Sequence, residues 1–231
     1  MVEGTRLVAE ALAAGAAVET VFAEAEADPG LLEQAEVAEA RVLELAPGVL
    51  GRVASTVTPQ PVMAVVADLT VDLDAVAGAP LVVVCVGVGD PGNAGTVLRS
   101  AEAAGAGAVV FCGGSVDVYN TKTVRASAGA LFHVPLVVEG DPTAVLARLG
   151  AFGLRRLGSA VGAGRDYTTI DFTAPTAVVL GSEPTGLPPA LSTVLDEWVT
   201  IPMTGRSESL NVGMAASVLC FEAARQRRVG P

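Results

Sequence analysis

The chain has 231 residues, enough to bury a substantial core in one or two domains. Hydrophobic residues make up 51% of it, but none of the apolar runs reaches the length of about 18 residues that a membrane-spanning helix needs. The formal charge of −11 argues against a polyanionic partner. That charge is unevenly distributed, because residues 1–46 carry ten acidic and two basic side chains and the remainder has a net charge of only −3.

The start of the chain and its cysteines indicate a cytoplasmic protein without a metal centre. The first residues, MVEGTRLVAEAL, lack a basic segment followed by an apolar one, so no secretory signal is expected. Cys85, Cys112 and Cys220 lie far apart in apolar surroundings, without the spacing of metal ligands. An odd number of cysteines also argues against a disulfide framework. We therefore expect three buried thiols in a reducing cytoplasm, and no bound metal.

The first part of the chain, residues 1–70, is predicted to form a small α/β domain. An Ala- and Leu-rich helix in TRLVAEALAAG ends at Gly15, and the segment VETVFAEA follows as a strand. PGLLEQAEVAEARVLEL supplies another helix with a possible strand at its end, and MAVVA supplies the last strand. Residues 71–80 are rich in Asp and small side chains and are predicted to link this domain to the next.

The second part, residues 81–231, alternates apolar strands with helices. Strands are predicted in LVVVCVGV, AVVFCG, VPLVV, RRLGSAV, TAVVLG and EWVTIPM. Helices are predicted in GNAGTVLRSAEAAGA, NTKTVRASAGAL, PTAVLARLGAFG and LPPALSTVL, and a last helix follows Ser209 with a core-facing side made of Leu210, Met214, Val218 and Phe221. This alternation predicts an α/β fold with a parallel sheet and helices on both faces, although it leaves the strand order open.

The first polar motif, DPGNAGTVLRSAEAAGA, begins where a buried strand ends and a helix starts, the usual place for ligands in open α/β sheets. Gly92 and Gly95 would allow a sharp turn, and Asn93 could cap the helix. Arg99 follows six residues later, within about 100° to 120° of Asn93 around the helix, where a guanidinium could hold a phosphate. Alternatively, Asn93 is only a cap and Arg99 only a surface residue. GDPGNAG does not fit the G-x-G-x-x-G pattern of dinucleotide binding.

Two further motifs follow later strands. VVLGSEPTGLPP runs from an apolar strand into Gly181 and Glu183, and it could be a ligand loop or simply a tight turn. IPMTGRSESLNVGMAASVLCFEAARQRR places Ser209 and Asn211 on either side of Leu210, although one capping side chain is enough to start a helix. Polar and glycine-rich insertions at the carboxyl ends of three strands exceed what turns require, and together they indicate a site.

In their order and spacing these three motifs resemble the SpoU family of the SPOUT methyltransferases, which methylate ribose 2′-hydroxyls of RNA. The resemblance covers residues 81–228, and residues 1–70 resemble the small substrate-binding α/β domain that precedes the catalytic domain in many members, although they begin where its first helix should. The resemblance implies a deep trefoil knot, a feature that chain topology otherwise disfavours. It also implies S-adenosylmethionine (SAM) as cofactor, RNA as partner, with ribosomal RNA favoured over transfer RNA, and a homodimer.

The resemblance further implies roles for individual residues. The cofactor would be held, mainly through backbone groups and apolar contacts with adenine, by Leu180, Gly181, Ile201, Met203 and Leu210. The catalytic cluster would comprise Asn93, Arg99, Glu183, Ser209 and Asn211. Arg99 is the family's proposed base, but a guanidinium with a pKa above about 12 rarely gives up its proton. We therefore expect Arg99 to bind the adjacent phosphate and to stabilise the developing alkoxide, with Glu183 fixing either Arg99 or the loop that carries Asn93.

Other functions remain open on the sequence alone. A chain of the same fold could methylate transfer RNA, could methylate a small molecule or a protein, or could bind RNA without catalysis. Basic residues in the second part could create a positive surface for RNA or could simply be scattered over the surface. They lie in local groups, namely Lys122 with Arg125, Arg155 and Arg156 with Arg165, and Arg225 with Arg227 and Arg228.

Overall fold

The computed structural model describes residues 1–56 and 58–228, and it divides into two compact units, Met1–Leu69 and Thr70–Pro231. The strands of the first unit are Val2–Glu3 (β1), Val18–Ala23 (β2), Arg41–Glu44 (β3) and Val62–Val66 (β4). Its helices are Thr5–Ala13 (α1), Pro29–Val37 (α2) and Leu50–Val53 (α3). The sheet order is β1-β4-β2-β3, with β2 and β3 parallel and β4 antiparallel to both of its neighbours.

The second unit contains a seven-stranded sheet in the order β7-β6-β5-β10-β8-β11-β9, in which every neighbouring pair is parallel. Its strands are Leu81–Val86 (β5), Ala108–Cys112 (β6), Leu136–Val138 (β7), Arg155–Ser159 (β8), Arg165–Asp166 (β9), Thr176–Leu180 (β10) and Glu197–Thr200 (β11). Its helices are Pro91–Ala103 (α4), Thr121–Ser127 (α5), Pro142–Ala151 (α6) and Val212–Arg228 (α7). The predicted α/β class with a parallel sheet is confirmed.

The central strands of this sheet are buried on both faces, because helices cover both. Every residue of β5, β6 and β10 is buried. Val82 and Val84 share a core cluster with Leu146 and Leu149 of α6. Side chains alternate along a strand, so Val83 and its alternate neighbours face the opposite layer, which contains α4 and α7. Helices α4, α5 and α7 each follow a loop from the carboxyl end of a strand, which brings those loops to one edge of the sheet.

Three sequence predictions differ from the structure. Residues 71–80 are not a loose linker, because the 3-10 helix Leu73–Val76 buries Leu73 and Val76 in the core of the second unit. The predicted helix LPPALSTVL is only a 3-10 helix, Pro189–Thr193, since two consecutive prolines at its start remove backbone donors. The short elements β1, α3 and β9 were not predicted, because elements of two to four residues give no clear periodicity.

The orientation of α7 also corrects the sequence interpretation. Met214 is 60% exposed and Phe221 is 47% exposed, so two of the four residues predicted for the core-facing side face outward. The buried face is formed mostly by small residues, namely Val212, Gly213, Ala216, Leu219, Cys220 and Ala223. Small residues face inward because α7 packs closely against α4: a Cβ added to Gly213 would lie 2.8 Å from the Thr96 Cγ2. The hydroxyls of Ser100 and Ser217 are 2.7 Å apart at the same contact.

Candidate active site

The polar residues of the three motifs meet at the carboxyl edge of the sheet, where a chain of hydrogen bonds connects them. The Asn211 Oδ1 accepts a hydrogen bond from the backbone N–H of Gly213 at 2.9 Å. The Asn211 Nδ2 donates to the Asn93 Oδ1 at 2.7 Å, and the Asn93 Nδ2 donates to the Glu183 carboxylate. The loop after β5, the loop after β10 and the start of α7 are therefore joined by three side chains.

The direction of this hydrogen-bond chain is fixed by chemistry. Only the oxygen of the Asn211 amide can accept from the backbone N–H at the start of α7, so its nitrogen must face Asn93. The Asn93 oxygen is then occupied, and its nitrogen faces a carboxylate, which can only accept. We call these three side chains, Asn211, Asn93 and Glu183, the amide relay.

Asn93 is available for the relay because other residues cap the helices. The N-cap of α4 is Asp90, whose Oδ1 accepts from the Asn93 backbone N–H at 2.8 Å. Helix α7 begins at Val212, and its first turn is capped by Asn211 rather than by Ser209. The suggestion that Asn93 caps α4 is therefore wrong. The surplus polar residue before α7 is explained by Asn211, which both caps the helix and contacts Asn93.

Gly95 allows close packing of two helices and does not form the sharp turn predicted for it. It lies within α4, where a Cβ would overlap the Ala126 Cβ and lie 2.7 Å from the Thr123 carbonyl oxygen. Only glycine allows α5 to approach α4 this closely. Close contacts with α5 on one side and α7 on the other fix the position of α4, and with it the position of Asn93.

A cavity of about 500 Å³ lies beside the relay. This volume is within the range of pockets that hold small molecules and cofactors. Glu183 and Ser209, both predicted as catalytic, line the cavity, whereas Asn93, Arg99 and Asn211 are not part of its wall. The residues predicted from the resemblance to hold the cofactor all line it, namely Leu180, Gly181, Ile201, Met203 and Leu210.

Gly181 shapes one wall of this cavity because the chain folds back on it. After β10 the chain makes a narrow turn, in which Ser182 and Gly186 form an antiparallel bridge and Gly186 has a φ of +66°. A Cβ on Gly181 would overlap the backbone of Gly186 and Leu187. Glycine is therefore required there by the protein's own backbone.

Other residues of the cavity wall were not predicted from the sequence. Trp198 lines the cavity, and its indole packs on Gly158, where an added Cβ would lie 3.1 Å from the ring. Ser159, Ala160 and Val161, at and after the end of β8, also belong to the wall. The glycine-rich sequence after β8 is a signal similar to those after β5 and β10, and it could have indicated a fourth segment of the site.

Arg99 is placed differently from the other predicted catalytic residues. It is exposed on α4, and within residues 1–56 and 58–228 no hydrogen bond or ion pair engages its side chain. Glu183 was expected to fix either Arg99 or the loop that carries Asn93. It does not contact Arg99, but it accepts a hydrogen bond from Asn93. A guanidinium without a protein partner is available to an anionic ligand.

The cysteines take no part in the site. Cys85, Cys112 and Cys220 are buried and free, as predicted. Burial raises the pKa of the Cys85 thiol well above its usual value and raises the pKa of Cys112 and of Cys220 to about 12. The described part of the chain contains no cluster of three metal-ligating side chains. None of its helices is long and apolar enough to cross a membrane.

Comparison with known families identifies both units. A family model described as the SpoU rRNA Methylase family matches residues 80–221, and one described as the MRM3-like substrate binding domain matches residues 1–64. The 23S rRNA (guanosine(2553)-2'-O)-methyltransferase RlmP of Bacillus subtilis is 34% identical over 96% of this chain and 86% of that protein. The 23S rRNA (guanosine-2'-O-)-methyltransferase RlmB of Ralstonia nicotianae is 36% identical over 69% of this chain. The aligned part spans 64% of that relative, and about half of some other curated relatives.

Solved structures resemble the chain over its whole length. The SpoU methyltransferase AviRb from Streptomyces viridochromogenes, in complex with the cofactor AdoMet, has a TM-score of 0.90 and 32% identity and covers 100% of this chain and 91% of its own. An AdoMet-bound rRNA methyltransferase from Sinorhizobium meliloti has a TM-score of 0.85 and 29% identity, covering 96% of this chain and 85% of its own.

Proposed function

The chain belongs to the SpoU rRNA methylase family, and we propose that it transfers a methyl group from SAM to a ribose 2′-hydroxyl of ribosomal RNA. The observation that carries this proposal is the amide relay at the rim of a cofactor-sized cavity. The names of RlmP and of the uridine(2479)-2'-O-methyltransferase of Streptomyces viridochromogenes support ribosomal RNA as the substrate class.

The chemistry of the cavity fits SAM. Leu180, Ile201 and Leu210 offer apolar surface for an adenine ring, and the serine and threonine side chains of the wall offer hydrogen-bonding groups for ribose and amino-acid ends. When bound, SAM supplies a methyl group on a sulfonium that is already a strong electrophile. Catalysis by the protein is then mainly a matter of alignment and of handling one proton.

The residues of the site divide this work. The amide relay holds Asn93 and Glu183 in one arrangement before substrate arrives, so little reorganisation is needed during transfer. Arg99 binds the phosphate next to the target ribose and stabilises negative charge that develops on the 2′-oxygen. The proton leaves to that phosphate or to water, because the guanidinium itself remains protonated. Ser209 orders the loop between β11 and α7 against the bound cofactor.

Three further features belong to this proposal. A deep trefoil knot is part of the proposal because the resemblance to the SpoU family implies it. A homodimer is supported by the exposed apolar side chains of Met214 and Phe221 on α7, which a second copy would bury. A ribosomal RNA substrate and three thiols without disulfides favour action in the cytoplasm, without a bound metal.

A binding measurement followed by a transfer assay tests the proposal. Calorimetry with SAM should give one site per chain, and Leu210→Asp, which places a charge in the wall, should abolish it. Tritiated methyl groups should then pass from SAM to 23S ribosomal RNA and not to transfer RNA. SAM binding without transfer to any RNA would contradict the proposed reaction and favour a different substrate class. RNA binding without SAM binding would indicate a non-catalytic module.

A further inference from the structure

The basic side chains of the second unit differ in whether protein groups already engage them. At the edge formed by the amino ends of the strands, arginines are already engaged with protein groups. Arg156 pairs with Asp196 at 2.6 Å, and Arg165 pairs with Glu197 at 3.0 Å. The other arginines engaged at this edge, through a carboxylate or a carbonyl, are Arg148, Arg155, Arg225 and Arg227. Their charges are neutralised or held in place, and they are poorly available to another anion.

Three basic side chains on segments that follow the carboxyl ends of strands are unpaired. Lys122 is exposed at the start of α5, Arg99 is exposed on α4, and Arg206 is exposed in the loop between β11 and α7. Across the described ranges, which omit residue 57 and residues 229–231, none of these three side chains has a hydrogen bond or ion pair. Long, flexible cations without a carboxylate partner are available to phosphates.

The three cations lie on segments that follow the carboxyl ends of strands. Helices α4 and α5 follow the parallel neighbours β5 and β6 and so start at the same edge. They touch at Gly95 and Ala126. Arg99 lies one turn after Gly95, and Lys122 lies one turn before Ala126, so both cations are within about one helical turn of this contact. Arg206 is two residues before Glu208, which lines the cavity.

Several acidic side chains at this edge are committed to the backbone. Asp90, Asp117 and Asp141 each accept a hydrogen bond from a backbone N–H at the start of a helix or turn. Glu183 accepts from Asn93 in the amide relay. Helix N-termini and backbone donors offset part of these negative charges, so they oppose an anionic ligand less than their number suggests.

From this distribution we infer that Lys122 and Arg206, together with Arg99, form a track that binds the phosphodiester backbone of the RNA and leads it past the cavity. This inference rests on the proposed function and assigns two residues outside the amide relay to substrate positioning. It also explains how an acidic chain can bind a polyanion, because three of its unpaired positive charges lie on segments that also carry the site. The track does not include the engaged arginines that the sequence offered as candidates for RNA binding, namely Arg155, Arg156, Arg165, Arg225 and Arg227.

Salt-dependent RNA binding tests the track. The variants are Lys122→Gln, Arg206→Gln and the double variant, each melting within about 2 °C of the wild type because the side chains are exposed and unpaired. The probe is a fluorescent fragment of 23S ribosomal RNA, with anisotropy measured over a series of salt concentrations. Each substitution should weaken binding about 5- to 10-fold, and should reduce the slope of log K against log salt by about 0.7 to 0.9.

Two variants serve as matched controls. Arg228→Gln removes an exposed arginine at the amino-edge end of α7, and Arg148→Gln removes an ion-paired arginine. Both should leave the affinity for RNA within two-fold of the wild type and the slope of log K against log salt unchanged. Equal losses in all four single variants would overturn the track, because any surface charge would then suffice. Unchanged slopes for Lys122→Gln and Arg206→Gln would also overturn it.

The methyl-transfer assay separates failure of the track from failure of the proposed function. In transfer to the same RNA, Lys122→Gln and Arg206→Gln should raise KM for RNA with little change in kcat, and leave SAM affinity unchanged. Transfer by the wild type with no effect of these variants would overturn the track alone. Salt-dependent binding through Lys122 and Arg206 without methyl transfer would instead contradict the proposed function and leave the track supported.

Discussion

The two edges of the seven-stranded sheet differ in whether their charged side chains have partners within the protein. At the amino edge, charged groups satisfy one another, as in the pair Arg156–Asp196, and Arg227 donates to the carbonyl oxygen of Pro80 at 2.7 Å. At the carboxyl edge, the amide relay is held rigidly, while Arg99 has no partner in the described residues and a cavity lies alongside. Charged groups that pair with other protein groups stabilise the fold, whereas unpaired charged groups are available to ligands. Substitutions at the amino edge should therefore affect stability alone, whereas substitutions at the carboxyl edge should also affect methyl transfer.

The largest effect should come from Arg99→Ala. We expect it to lower the rate of methyl transfer by about 10² to 10³-fold, because it removes a cation that stabilises charge only during the reaction. SAM affinity should stay within two-fold, since Arg99 does not line the cavity. Single-turnover transfer of a tritiated methyl group and calorimetry measure the two quantities. Turnover at the wild-type rate would refute the role given to Arg99.

Gly181→Ala should disrupt the cavity wall. The added Cβ overlaps the Gly186 backbone, so the turn after β10 must move, at a cost of about 1 to 3 kcal/mol of folding free energy. We expect a lower melting temperature and weaker SAM binding, measured by differential scanning fluorimetry and calorimetry. Gly89→Ala is the control at the same edge, because nothing lies within 4 Å of its added Cβ and its φ is not positive. Equal behaviour of the two variants would show that the turn is not tightly constrained.

Two substitutions of Asn211 separate its capping role from its relay role. Asn211→Ala loses the cap of α7 and should cost about 1 kcal/mol of stability. Asn211→Asp keeps an oxygen for the backbone N–H of Gly213, but it places a second oxygen against the Asn93 Oδ1. We expect Asn211→Asp to retain stability and both variants to lose about 10- to 100-fold in transfer rate. Full activity in Asn211→Asp would mean that the relay is not needed for catalysis.

The smallest effect should come from Asp196→Asn at the amino edge. The hydrogen bond from the Arg156 side chain holds the pKa of Asp196 below its usual value. A carboxyl whose pKa is lower in the folded state stabilises the fold above its unfolded pKa, and this stabilisation is lost as the pH falls. Denaturant unfolding at pH 7 should show a loss of less than about 1 kcal/mol, because the pair is partly exposed. The difference from the wild type should shrink below about pH 4, and methyl transfer should be unchanged throughout. A pH-independent difference would contradict this account.

Sequence patterns predict the parts of this molecule that depend on local physics. β5 and β10 can be predicted because each is an unbroken apolar run. Gly181 and Glu183 can be recognised because they belong to a polar, glycine-bearing segment that follows such a run. The choice of Asp90 over Asn93 as the cap of α4 is not readable, since both residue types cap helices well. Asn93 is then used in a contact with a residue 118 positions away, which only the folded chain reveals.

The pairing of charges is equally invisible in the sequence. Arg156 and Asp196 are 40 residues apart, and their contact depends on β8 and β11 being neighbours in a strand order that periodicity cannot give. The outward direction of Met214 and Phe221 likewise depends on α7 presenting its small residues to α4. In both cases a tertiary contact, and not local propensity, decides which side chains remain free for function.

The position of the transferred methyl group tests the central claim most directly. Ribosomal RNA methylated by the wild-type protein can be digested to nucleosides and analysed by mass spectrometry. The account predicts a single 2′-O-methylated nucleoside, which disappears when the target nucleotide is replaced by its 2′-deoxy form. A methyl group found on a base would contradict it, as would transfer that persists to the 2′-deoxy substrate.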